Sequence, residues 1–589
     1  MDRALWLGMR TQQRDGHRRG IACLLPAARI STAFLLASLI AISCAPSTDA
    51  GFADLVLRDG KVATVNADFS LQQAVAVDDG IIVFVGPEEG IEPYVGPETR
   101  VIELDGRLVT PGMVDAHGHP FNLGNTEEEE SFSVRGSESW DEVVVRVATR
   151  IEAMEPDEWL IGGGWYQDDW EDNTIPEHDS LSAVSPDNPV FLYRRGGNSA
   201  FVNAKALEIA GIDAGTPDPY GGIIGRKADG SPSGFLVNMG NNMVSDHFPA
   251  PDRPLSWYME VLSRAAVRGN EVGLTGWHDA GIGPTLIDAY KALVDEGALT
   301  VRVNAMLQNP REGNLEEYFS EHRVVDYGGR DLFQVRSVKV FFDGALGSRG
   351  AALFEPYSDD PENRGVYEIR PEHLYEVSIA ALRAGMQVCP HAIGPRAVKE
   401  TLDIYEEAFI EAPGQDVRFR IEHAELVGPD DVARFAELGV IPSVQPIHHP
   451  SDMEFLPHRV GLDRAEKYAS PWRSLIDAGS VLPLGSDFTI YSHNPLTGFY
   501  ASITRRNEDG TPEEGFYAEE AMTREEALKG YTIWPAYAAF LEEKVGSIEV
   551  GKYADLVVFD RDILSIEPAE ILETKVDFTI VDGKVVYER

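Results

Sequence analysis

The stretch Val335–Gly350, VRSVKVFFDGALGSRG, holds a strand pattern built around a charge. Val338, Val340, Phe341 and Phe342 crowd Lys339, and an unpaired ammonium in an apolar strand is costly. Lys339 shares strand parity with Phe341 and Asp343, which points it to the inside of the sheet that the strand joins. Two readings are open. The lysine pairs with Asp343 or with Asp487, or it is a neutral amine. A neutral amine can take up carbon dioxide as a carbamate, which behaves as a carboxylate and can bridge two metal ions.

Seven further short apolar runs resemble this strand: GMVDAHGH, GLTGWHDA, TVRVNAML, MQVCPHAIG, VRFRIEHAE, GVIPSVQPIHH and VLPLGSDF. Helix patterns separate several of them, including PEHLYEVSIAALRAG and PDDVARFAELG, each ending in glycine. Eight strand–helix repeats predict an α/β fold of the (β/α)8 type, a closed parallel barrel over 113–547. A Gly-, Pro- and Trp-rich segment, about 122–258, breaks the repeat and is expected to be an insertion over the barrel mouth. Segments 51–112 and 548–589 read as short strands and turns, with Asp-Gly pairs marking tight hairpins. They are expected to be two halves of one small antiparallel β-sandwich.

Barrel active sites form at the C-terminal ends of the strands. His117 and His119 end the first strand, and their i, i+2 spacing aims both at one point. Lys339 lies in the fourth strand, His391 ends the fifth, His423 the sixth and Asp487 the eighth. Each residue alone has an ordinary explanation as a core histidine or a helix cap. Five strands placing such groups at matching ends instead predict a metal site, because imidazoles and carboxylates are ligands for zinc and similar divalent cations.

Gross composition narrows the partners. The charge is 51 − 96 = −45, which repels nucleic acid, so no nucleic-acid partner is expected. Residues 1–43 read as a signal peptide: arginines precede the apolar run ISTAFLLASLIAIS, which is too short for a membrane span. Ala41-Ile42-Ser43-Cys44 resembles a lipoprotein cleavage box, so Cys44 is an expected lipid anchor and the protein is expected in the periplasm or cell envelope. Ordinary signal-peptidase cleavage nearby, or a misplaced start codon, is the alternative. With Cys23 removed and Cys44 acylated, only Cys389 remains, and it reads as a small core residue.

The motifs PGMVDAHGHP, LIGGGWYQDDW, GGNSAFVNA, VKVFFDGALGSRGAAL, HAIGPRAV, RIEHAEL, LGSDF and GSIEVGKYADLVVFD together resemble the amidohydrolase superfamily, in its amidohydrolase-3 branch. That branch includes YtcJ-like proteins and N-substituted formamide deformylases. The resemblance covers Phe52 to Glu588. It implies a metal-bearing barrel beside a β-sandwich, with His117 and His119 on a first metal and His391 and His423 on a second. It further implies Lys339 as the bridging N6-carboxylysine of a two-metal centre, and Asp487 as both ligand and proton shuttle. One metal or two remains open, and such barrels often pair as homodimers. Asn198 and Pro395 depart from the branch, where a histidine and an acidic residue are usual.

The expected activity is hydrolysis of a carbon–nitrogen bond other than a peptide bond in a small amide-like substrate. Asp487, His391 and His423 are the expected catalytic groups. Trp165, Tyr166, Asn198, Arg349 and His448 are expected to line the substrate pocket; Trp165 and Tyr166 follow three glycines, which suggests a tight loop presenting aromatics. Arg349 either clamps a substrate carboxylate or holds its loop by a salt bridge. Alternatives are hydrolysis of cyclic amides, carbamates or esters on the same ligands, and a secreted metal-containing binding lipoprotein without catalysis.

Overall fold

The computed structural model describes residues 51–589 apart from 126–131, 173, 196–197, 250–252, 311–312 and 412. The expected signal segment, Cys23 and Cys44 lie outside the described residues. Seven parallel strands stand side by side: Met113–Gly118, Leu274–Ile282, Arg302–Gln308, Phe333–Phe341, Gln387–Ala392, Arg420–His423 and Ile441–Ser443. The eighth run closes the ring as an irregular segment, since Pro483 has no amide to give to a ladder. Val444 N donates to Pro483 O and Gly485 N to Val444 O on one side. Ala116 N donates to Leu484 O and Asp487 N to His117 O on the other. The fold is therefore a (β/α)8 barrel. Helices Pro371–Ala384 and Pro429–Leu438 end on Gly385 and Gly439, both in the left-handed conformation that terminates helices.

The two chain ends share a sheet. Leu108–Pro111 runs antiparallel to Leu556–Phe559 within a six-stranded sheet, and a four-stranded sheet holds Leu55–Arg58, Ala74–Asp78, Ile81–Gly86 and Arg100–Glu103. Leu57, Val77, Val109, Leu556 and Ile580 form one core between them. Asp79-Gly80 and Asp582-Gly583 make two-residue hairpins, with positive φ at both positions as a type I′ turn requires.

Asp59-Gly60 differs from expectation. Leu55–Arg58 and Lys61–Ala63 lie in different sheets, so this turn carries the chain between layers, and Leu104 packs where a Gly60 side chain would stand. Two pairings are parallel, Leu55–Arg58 with Arg100–Glu103 and Lys61–Ala63 with Leu108–Pro111. The end sheets are thus mixed and not wholly antiparallel.

Between the first two barrel strands the chain builds a six-stranded sheet from Phe132–Ser133 to Pro232–Asn238. The triple glycine belongs to one of its strands, Leu160–Trp165, and not to a loop. A side chain at Gly162 would strike Phe132 O, and one at Gly163 would strike Tyr193 O, so the glycines permit close strand approach. Among the described residues no helix is long and apolar enough to cross a membrane.

Candidate metal centre

Closure of the barrel brings the two ends of its strand order together at one point. His119 Nε2 lies 2.9 Å from Asp487 Oδ1, and His117 Nε2 lies 3.9 Å from the same oxygen. One ligand atom from each of His117, His119 and Asp487 falls within 4.8 Å of the others. Gly118, between the histidines, is required there: a side chain would collide with the Phe488 ring that follows Asp487. The buried Asp115 ties the same two segments, accepting from the His117 and Ser486 amides and from Ser486 Oγ at 2.6 Å.

His423 sits beside this group, its ring 4.8 Å from that of His117 and 4.4 Å from that of His391. Consecutive residues in a strand face opposite ways, yet Glu422 and His423 both reach His117. Left-handed backbone at His423 and Ala424, with φ of 76° and 44°, breaks the alternation. A second cluster forms from His423, Glu425 and His448. His391 Nε2 is buried without a hydrogen-bond partner among the described residues.

Lys339 is buried, and its Nζ lies 3.3 Å from His117 Nε2. Among the described residues no carboxylate lies within ion-pair reach of it. Asp343 is committed elsewhere, accepting from the amides of Ala352, Ile393 and Gly394. The Ile393 and Gly394 amides precede the helix Pro395–Glu411, so Asp343 holds the backbone at the start of that helix. Burial, the largest cause, pulls the Lys339 amine down against the Glu422 and Asp487 charges, which act to raise it.

Burial and the Lys339 charge push His117 down to about 4 and His391 down to about 3, and burial holds His423 well below its ordinary value. These imidazoles are therefore neutral near pH 7, the form that binds a metal. Neutral imidazoles, a carboxylate at 2.9 Å and an orphaned buried nitrogen together fit a divalent cation.

A cavity of about 1140 Å³ opens above this group, with His391, His423 and Asp487 in its lining. Tyr166, Asn198, Arg349 and His448 line it as well. The guanidiniums of Arg194 and Arg195 lie 4.3 and 3.9 Å from the centre of the Tyr166 ring. Arg349 is clamped by Asp359, with bonds of 3.1 and 3.0 Å, so it holds its loop. His448 stacks on His423 at 6.1 Å and faces Glu425 across 3.4 Å.

Trp165 corrects an expectation. It is 1% exposed, donates from Nε1 to Leu192 O, and packs against Trp170, Phe201 and Phe235 in the core of the insertion. Strand alternation turns it away from the cavity, which Tyr166 alone of the pair reaches.

Several site residues escaped the sequence reading. Glu422 bonds His117 Nδ1, Arg420 pairs with Glu422, and Gln445 Oε1 lies 2.8 Å from His423 Nδ1. A signal did exist, because Arg420 and Glu422 are charges of one parity in a run that reads as a buried barrel strand.

Comparison with known proteins accords with this geometry. Residues 100–587 match the model of the amidohydrolase family (Amidohydro_3). The chain is 31% identical to YtcJ of Bacillus subtilis (strain 168), over 91% of this chain and 99% of that protein. It is 28% identical to the N-substituted formamide deformylase of Arthrobacter pascens, over 91% and 98%. A solved metal-dependent hydrolase from Pyrococcus horikoshii OT3 superposes with a TM-score of 0.67 at 25% identity, over 87% of this chain and 99% of that one. The chain belongs to the amidohydrolase family.

Proposed function

We propose that this metal-dependent hydrolase of carbon–nitrogen bonds cleaves small amides of the N-substituted formamide type, with Asp487 as its proton carrier. The observation that carries this reading is the Asp487 carboxylate, which lies 2.9 Å from His119 and lines the cavity. His117, His119 and Asp487 would hold a first cation, and His391 and His423 a second, with carboxylated Lys339 between the two. A divalent metal such as zinc supplies, when bound, the Lewis acidity that makes water nucleophilic near neutral pH.

Burial, the largest single cause, favours the protonated form of Asp487, but the His119 bond together with the charges of His119, His117 and His448 holds the carboxyl well below its ordinary value. The carboxylate is thus ready to accept a proton from attacking water. It then returns that proton to the departing amine, a poor leaving group until protonated. His391 and His423 add hydrogen bonds to substrate only where a ring nitrogen is not engaged as a ligand. Burial pulls the Lys339 amine down, and this supports the carbamate, because the neutral form of an amine is the one that captures carbon dioxide.

The test is metal analysis together with a screen of N-formyl amines, N-acyl amino acids and simple esters. Turnover of N-formyl amines, lost on chelation and restored by zinc, is expected. Turnover of esters alone would overturn the amide assignment.

The arginine-led apolar run and Ala41–Cys44 support export and a lipid anchor at Cys44. Fractionation of a Cys44→Ser variant tests this: a protein that stays membrane-associated has no anchor there. Pairing of two chains is likewise proposed, and sedimentation of the purified mature chain decides it.

A further inference from the structure

His117 has a second nitrogen, and its partners form a charged hub inside the barrel. Glu422 Oε2 lies 2.5 Å from His117 Nδ1. Arg420 binds the same carboxylate, with Nε 2.7 Å from Oε1 and Nη2 3.0 Å from Oε2. The guanidinium reaches three further strands: Nη1 donates to His278 Nδ1 at 2.7 Å, and Nη2 to Ala116 O and Ser443 Oγ at 2.8 and 2.7 Å. Arg420 and Glu422 are both fully buried.

Hydrogen-bond bookkeeping fixes the protons. An ionised carboxylate only accepts and a guanidinium only donates, so the proton between His117 and Glu422 belongs to His117 Nδ1. That leaves Nε2 unprotonated, with its lone pair available as an acceptor or ligand. Nε2 is the atom that faces Lys339 Nζ at 3.3 Å and Asp487 Oδ1 at 3.9 Å.

We propose that Glu422 and Arg420 are positioning residues of the metal centre: Glu422 locks His117 in the Nδ1–H tautomer with Nε2 aimed at Asp487 and His119, and Arg420 locks Glu422. This rests on the metal-dependent reading above and extends it to two residues that touch neither substrate nor metal. A histidine ligand whose other nitrogen donates to a carboxylate is oriented and made more basic, and loss of such a partner weakens metal binding about 10- to 100-fold. A purely structural ion pair would affect folding alone.

The test uses the full mature chain, with zinc affinity measured by competition against a chelator and thermal melting measured on the same samples. Removing Glu422 alone strands a buried guanidinium and can unfold the protein. The principal variant is therefore the charge-free Arg420→Met/Glu422→Leu, with Glu422→Gln beside it, since glutamine keeps an oxygen that can accept from Nδ1–H. The double variant is expected to melt near wild type and to bind zinc about 10- to 100-fold more weakly, with KM at saturating zinc little changed. Glu422→Gln should fall between the two, and the visible spectrum of the cobalt-loaded double variant should shift. A double variant that folds and binds zinc as wild type does overturns the proposal. Should it fail to fold, Glu422→Gln decides, and unchanged zinc affinity there overturns the proposal equally. A wild-type chain that binds no zinc overturns the metal reading itself, a result seen before either variant is made.

Discussion

Asp487 Oδ1 and His119 Nε2 lie 2.9 Å apart, joining the closing segment of the barrel to its first strand. Asp487→Asn keeps the shape and the hydrogen-bonding reach but removes the proton acceptor. Turnover is expected to fall by a factor of about 10² to 10⁴, with the melting curve little changed. Steady-state kinetics at saturating zinc checks this, and activity near wild type would remove Asp487 from the proton-carrying role.

Lys339 is buried beside His117 with no carboxylate in ion-pair reach among the described residues, so its substitution separates the carbamate from a plain amine. Lys339→Met retains most of the volume and is expected to fold, since volume-conserving apolar swaps usually cost less than about 1.5 kcal/mol. It should bind one metal fewer and lose turnover. Carbon-13 NMR of wild type loaded with labelled bicarbonate should show a carbamate carbon that the variant lacks. Its absence from fully metallated wild type contradicts the bridge.

Trp165 fills the core of the insertion, whereas Tyr166 borders the cavity. Trp165→Ala is expected to destabilise that region by about 3–5 kcal/mol through cavity creation. Chemical denaturation should show the loss, and KM should rise more than kcat falls because the insertion forms part of the substrate wall. An unchanged denaturation curve would contradict the packing role.

Arg473 and Glu526 supply a pH-dependent contribution remote from the site. Burial pushes the Glu526 carboxyl up, but bonds from Arg473 and from the Thr523 amide and hydroxyl hold it down to about 2, against 4.5 unfolded. A depressed carboxyl stabilises the fold above its unfolded value and loses that contribution as pH falls through its folded value. Glu526→Gln, which can still cap its helix, should cost on the order of 2 kcal/mol at pH 7. The gap to wild type should narrow as pH drops from 4.5 toward 2. Denaturant titrations of both proteins across that range measure it, and a gap independent of pH would remove the ionic contribution.

Local periodicity determined much of this protein in advance. The seven barrel strands, the glycine-ended helices, Lys339 within its strand and His117, His391 and His423 at strand ends follow from i, i+2 and i, i+4 geometry, which a linear sequence carries. The same periodicity could not assign partners. Asp59-Gly60 and Asp79-Gly80 read alike, yet only the second makes a hairpin, because the strands flanking Asp59-Gly60 pair with distant strands of two different sheets. GGGWYQ could not show which aromatic faces the cavity, since the insertion sheet sets that parity. The proton on His117 was also beyond reach. It is fixed by Glu422 and Arg420 from a distant strand, and hydrogen-bond donors and acceptors find one another only when the barrel closes.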